Sequence, residues 1–77
     1  MKSLNEMPLG STAKISGLNA GGNIAQRLMA LGVLPGTEIE VVGVAPWGDP
    51  ITIKIRGRSI SLRRADATCV QMEERGV

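Results

Sequence analysis

At Leu31-Gly32-Val33-Leu34-Pro35-Gly36-Thr37 the chain changes from helical spacing to strand alternation, and the segments on either side can be placed relative to that junction. Upstream, Ile24, Leu28 and Leu31 recur at i, i+4 and i+7, which puts them on one face of a helix. Gly32 follows the last of them, where a helix commonly ends in a left-handed residue that lacks Cβ. The spacing predicts a helix over about residues 22–31, with Asn23 as N-cap and Gln26 three residues on, a variant of the capping box. Pro35-Gly36 then fits the central pair of a type II turn, which would send the chain into an alternating run.

Downstream, Ile39 and Val41 alternate with Glu38 and Glu40, and the phase slips at Val42-Gly43-Val44 as it would at a bulge. Ala45-Pro46-Trp47-Gly48-Asp49-Pro50 is dense in turn residues, and its two prolines exclude a central strand. Ile51, Ile53 and Ile55 alternate with polar residues, as do Ile60 and Leu62. Gly57-Arg58 between them reads as a type II′ hairpin loop that sets Arg56 opposite Ser59, Ile55 opposite Ile60 and Ile53 opposite Leu62. Ala65-Asp66 reads as a turn, Ala67 to Met72 as a last strand with Val70 and Met72 inward, and residues 73–77 as a polar tail. Before the helix, Ala13 to Leu18 alternates as a first strand with Ala13 and Ile15 inward. Leu4, Met7 and Leu9 form an irregular lead-in able to cover one end of a barrel.

About five short strands and one helix in 77 residues call for a bent sheet that protects its own edges. The expected fold is therefore mainly β, a small SH3-like barrel with one inserted helix, forming a single domain over residues 1–77. An open α+β sandwich is the alternative. Such a core buries roughly 60% of the unfolded surface. With one Trp and no Tyr or Phe, that core must be filled by Ile, Val, Leu and Met.

Chemistry is sparsely supplied. There is no histidine, the usual general base near neutral pH, and Cys69 has none to activate it, so an enzyme is not expected. Glu38 and Glu40 share a strand face, where paired acids are usually just solvated. Metals that favour imidazole or thiolate would find one sulfur and four thioethers, and Met1, Met7, Met29 and Met72 lack ligand-like spacing. No metal site and no cofactor are expected. A single cysteine, no leader-like opening and no long apolar run fit a soluble protein of a reducing, cytoplasmic compartment.

Two features look outward. Lys54, Arg56, Arg58, Arg63 and Arg64 occur with no acid between residues 54 and 64, a basic hairpin that could bind nucleic acid electrostatically. Single-strand binders also stack bases on aromatic rings, which this surface lacks beyond Trp47, so a solvated face or an acidic protein partner is the better reading. Trp47 itself, in a Pro-Gly loop, is either a lid folded over the barrel end or an exposed anchor for a partner.

The ordered segments L-x-x-L-G-V-L-P-G-T-x-I-x-V, A-P-W-G-D-P-I and I-S-L-R-R-x-x-A, spanning about Ile15 to Met72, resemble the ferrous-iron transport protein A family, FeoA. The resemblance implies an SH3-like barrel, similar also to the C-terminal domain of metal-dependent repressors of the diphtheria-toxin-repressor type. A chain of this length has no room for the rest of such a repressor, which points to the free-standing form. It further implies a cytoplasmic accessory protein of bacterial ferrous iron uptake that acts on FeoB, a transporter with a GTP-binding domain. The residues nominated for docking are Pro46, Trp47, Asp49 and Pro50 of the loop, Met29 on the helix flank, and Arg56 and Arg63 of the basic hairpin. A nucleic-acid-binding barrel using residues 54–64 is the competing function, and self-association is left open.

Overall fold

The computed structural model describes residues 2–73, and the expected polar tail beyond Glu73 lies outside them. In chain order the elements are β1 (Lys2–Ser3), a 3₁₀ turn (Leu4–Glu6), β2 (Thr12–Leu18), α1 (Gly22–Ala30), β3 (Glu38–Val44), β4 (Ile51–Ile55), β5 (Arg58–Leu62), α2 (Arg64–Ala67) and β6 (Val70–Met72). The strands form one antiparallel sheet in the order β1-β6-β2-β3-β4-β5. Its inner face carries the alternate residues expected: Ala13 and Ile15, Ile39 and Val41, Ile51, Ile53 and Ile55, Leu62, Val70 and Met72 are all buried. The sheet curls around this aliphatic core, and α2 lies against the 3₁₀ turn, so these two pieces bridge the gap between the edge strands β1 and β5. The mainly β, barrel-like reading holds, with six strands instead of about five.

The sixth strand is β1, which the irregular look of the lead-in conceals. Lys2 pairs with Met72 and Ser3 with Gln71, too short a ladder to leave a periodic signal. Ser3 and Glu6 then form a capping box around the 3₁₀ turn, which drops Leu4 into the core. Met7 packs partly against that core, whereas Leu9 stays exposed.

The junction after α1 closes as a Schellman motif. Gly32, at φ +96°, donates its N–H to Met29 O and Val33 donates to Leu28 O, each at 3.0 Å. Val33 and Leu28, brought together by that second bond, are both buried. A Cβ at position 32 would meet nothing closer than the Arg58 guanidinium at 4.0 Å, so the demand for glycine here is conformational and not steric. Gly32→Val is expected to destabilise the domain by about 1 kcal/mol or more, because a β-branched residue is strained at that φ. Thermal melting checks this, and an unchanged midpoint would contradict the left-handed helix stop. The turn that follows is also as expected: Thr37 N–H bonds Leu34 O at 3.1 Å, with Gly36 at φ +88°.

Three local expectations are corrected. The N-cap of α1 is Gly21, not Asn23, and of the three residues placed on the buried face only Leu28 is fully buried; Leu31 is half-buried and Ile24 is exposed at the rim. The β4–β5 turn is centred on Arg56-Gly57, both at positive φ (52° and 80°), the type I′ pattern whose twist suits a hairpin. Ile55 therefore faces Arg58, Ile53 faces Ile60 and Ile51 faces Leu62, a register two residues from that expected. A two-residue slip preserves the faces, so apolar residues still meet across the ladder. Finally, Ala65-Asp66 belongs to the short helix α2, which buries Ala67, and the last strand begins only at Val70.

Candidate docking surface

The loop joining β3 to β4 is built to hold one large side chain outside. Gly48 N–H bonds Ala45 O at 2.7 Å, closing a β-turn with Pro46 and Trp47 at its centre and Gly48, at φ +81°, in fourth place. This is the distribution a type I turn favours, Pro second and Gly fourth. Ala45 N–H also bonds Pro50 O at 3.1 Å across the loop base, where the Asp49-Pro50 peptide is cis. From the other side α2 clamps it: the Arg64 backbone N–H donates to Asp49 Oδ1 at 3.1 Å, and Arg64 Nη1 donates to Gly48 O at 3.2 Å. Each such bond contributes on the order of 1 kcal/mol, enough together to hold a six-residue loop in one shape. Within that frame Trp47 is 89% exposed. Of its two readings, the lid is excluded and the exposed side chain stands.

Trp47 has apolar company. Val44 and Val42 are exposed at 44% and 40% on the strand leading into the loop, Val42 at the register shift between Val41 and Gly43 and Val44 just beyond it. The segment before β2 is stitched to the same strand, Gly10 N–H to Val41 O at 2.7 Å and Val41 N–H to Ser11 O at 3.0 Å, and the exposed Leu9 directly precedes that stitch. Leu9, Val42, Val44 and Trp47 are thus exposed apolar groups carried by the loop, the strand leading into it and the segment stitched to that strand. Sequence reasoning named only Trp47. Its signal for the valines was the unbroken apolar run 41–44, in which some residue must face out once the bulge interrupts alternation.

The nominated residues fall into two groups. Pro46, Trp47, Asp49 and Pro50 share the loop, and Arg63 adjoins it, being the residue before the clamp at Arg64. Met29 and Arg56 stand at the other end of β4, a strand spanning roughly 13 Å: Arg56 is in the hairpin turn, and the helix end that carries Met29 receives Arg58.

The basic residues of 54–64 do not form one face. Lys54 sits across from Glu40, an opposite-charge cross-strand pairing. Arg58 Nη2 donates to Leu31 O at 3.2 Å, where a cation meets the negative end of α1. Arg64 is spent on Gly48. Arg56 and Arg63 are exposed at opposite ends of β5. Arg27, on α1, pairs with Asp66 of α2 at 3.2 Å.

Catalytic geometry does not assemble around Cys69. Its half-buried thiol donates weakly to Ala65 O at 3.7 Å, and its carbonyl accepts the Asn19 N–H at 2.6 Å, both structural contacts. Among the described residues no three Cys, Asp or Glu side chains converge as metal ligands. No helix among them is long and apolar enough to cross a membrane.

Comparison with known proteins agrees with the architecture. A solution structure of iron(II) transport protein A from Clostridium thermocellum is 40% identical and superposes with a TM-score of 0.89, covering 94% of this chain and 44% of that one. The zinc-complexed crystal structure of Stenotrophomonas maltophilia FeoA, described as a prokaryotic SH3 domain protein, is 28% identical with a TM-score of 0.83 over 95% of this chain and 91% of that one. A Porphyromonas gingivalis fusion of Fe(2+) transport protein A with the Fe(2+) transporter FeoB is 34% identical over 70 residues, which is 91% of this chain but only 8% of the fusion. The FeoA domain model matches residues 2–74, nearly the whole sequence, and the chain belongs to the FeoA domain family.

Proposed function

We propose that this protein is an accessory of bacterial ferrous iron uptake that docks on a FeoB-type transporter at the cytoplasmic face of the membrane, through the Trp47 loop and the exposed valines of the strand leading into it. The observation that carries the proposal is the fixed loop with an almost fully exposed tryptophan. A large apolar group held in water without packing is explained by a partner that covers it, and tryptophan is prominent among residues that dominate binding energy. Because the loop is already ordered by its turn, its prolines and the Arg64 clamp, little conformational freedom is lost on docking. The fusion relative supports the choice of partner, since one polypeptide there joins transport protein A to FeoB and keeps the two at high effective concentration. The role is binding, with regulation passed through the contact and no chemistry on the small domain itself.

Trp47→Ala tests this directly. The variant should keep its circular dichroism spectrum and melting midpoint, because the side chain is 89% exposed, and should co-purify with the transporter at least tenfold less well. A variant that folds and binds as tightly as the parent would remove the loop from the interface.

A further inference from the structure

β5 is an edge strand with a groove beside it. In a two-residue hairpin the residues flanking the turn exchange hydrogen bonds, so Ile55–Arg58, Ile53–Ile60 and Ile51–Leu62 are the bonded pairs, and the N–H and C=O groups of Ser59 and Ser61 point away from β4. β5 pairs with no other strand, and among the described residues these four main-chain groups have no protein partner. Alongside runs a groove of about 500 Å³, lined on one side by Arg27, Leu28 and Leu31 of α1 and on the other by Ser61, Leu62 and Arg63. A free ladder of donors and acceptors next to a groove of mixed polar and apolar lining is what strand addition uses: main-chain bonds give affinity, and the groove takes alternate side chains.

Charge selects the occupant. Arg56 stands at one end of β5 and Arg63 at the other, both exposed; Arg58 is already bonded to Leu31 O, and Arg27 across the groove is balanced by Asp66, the acid in the lining, so the net charge along the edge is positive. Pairing of two copies edge to edge would bring these arginines together, so the edge is guarded against itself. An acidic strand meets the opposite situation. We infer that β5 and its groove accept an extended, acidic segment of a partner protein as an additional strand, bonded to Ser59 and Ser61. This site is built from different atoms than the Trp47 loop and does not depend on that loop's role.

The test uses the acetylated and amidated pentapeptide of alternating glutamate and valine, titrated into ¹⁵N-labelled protein. The amides of Ser59 and Ser61 should shift and exchange with solvent at least tenfold more slowly, with the Trp47 indole signal unmoved. Methylating the peptide's alternate main-chain nitrogens, or replacing its glutamates by lysines, should weaken binding at least tenfold. Ser61→Pro removes one edge donor that the native ladder does not use, so it should fold normally and bind at least tenfold less well. Should that variant unfold, the methylated peptide still decides. Equal affinity for the methylated peptide, perturbed amides located elsewhere, no binding of the acidic peptide at millimolar concentration, or dimerisation through β5 in sedimentation would each overturn the proposal. Trp47→Ala should bind the peptide like the parent, which keeps the outcome separate from that of transporter docking.

Discussion

Leu28→Ala is expected to lower stability by about 2 to 5 kcal/mol, the usual range for emptying a fully buried leucine site. Leu28 is 1% exposed and is the one fully buried residue of α1. Its backbone carbonyl also receives the Val33 N–H that completes the helix stop. Removing the side chain therefore leaves a cavity and also takes away the main attachment of the helix to the barrel. A domain of this size has total stability of about 5 kcal/mol or somewhat more, so the variant should be largely unfolded near body temperature. Urea titration checks it, and the neighbouring Ile24→Ala is the control. Ile24 already faces solvent at the helix rim, and its truncation should cost well under half as much. Equal effects at the two positions would mean that α1 is not pinned through Leu28.

The second large effect lies where the sequence looked least ordered. Leu4→Ala should also cost about 2 to 5 kcal/mol, with a fall in the thermal midpoint of about 4–8 °C for each of them, because Leu4 is 1% exposed within the core. Leu9→Ala, in the same lead-in but outside the core, should change stability by no more than about 0.5 kcal/mol. If Leu4→Ala melted like the parent, the capping box and the short strand before it would be decoration on a barrel complete without them.

These two leucines show what the sequence could and could not reveal. Leu28 was legible because a helix writes its buried face at a fixed spacing, although three residues at that spacing shared burial unequally. The strands β2 to β5 were legible for the same reason, and their inner faces were assigned correctly even where the hairpin turn was misplaced. A register error of two leaves every face intact, so hydrophobic pattern alone cannot detect it. What distinguishes the turns is which residue tolerates positive φ, and Arg56 is an uncommon choice for that position. Leu4 was not legible, since two ladder pairs and a single 3₁₀ turn are too short to have a period. In the candidate docking loop, the turn residues announced a connection and Trp47 announced itself. The clamp did not: Arg64 is fifteen residues from Asp49, and a run of basic residues reads as a charged surface until the fold shows which of them are bound to carbonyls.

The order of strands in the sheet sets how the protein can be made. β6 is the last strand among the described residues, yet it lies inside the sheet, between β1 and β2. During synthesis, β2 to β5 can pair with their neighbours as they emerge, while one side of β2 and the whole of β1 wait for the final segment. Until then, an unpaired strand side and the inward faces of Leu4 and Ile15 remain in water, the exposure that makes partly made chains aggregate. A polypeptide cut before Val70 consequently loses more than its last three paired residues. It also loses the strand on which β1 is anchored, so early termination should be recovered as insoluble material and not as a slightly smaller domain.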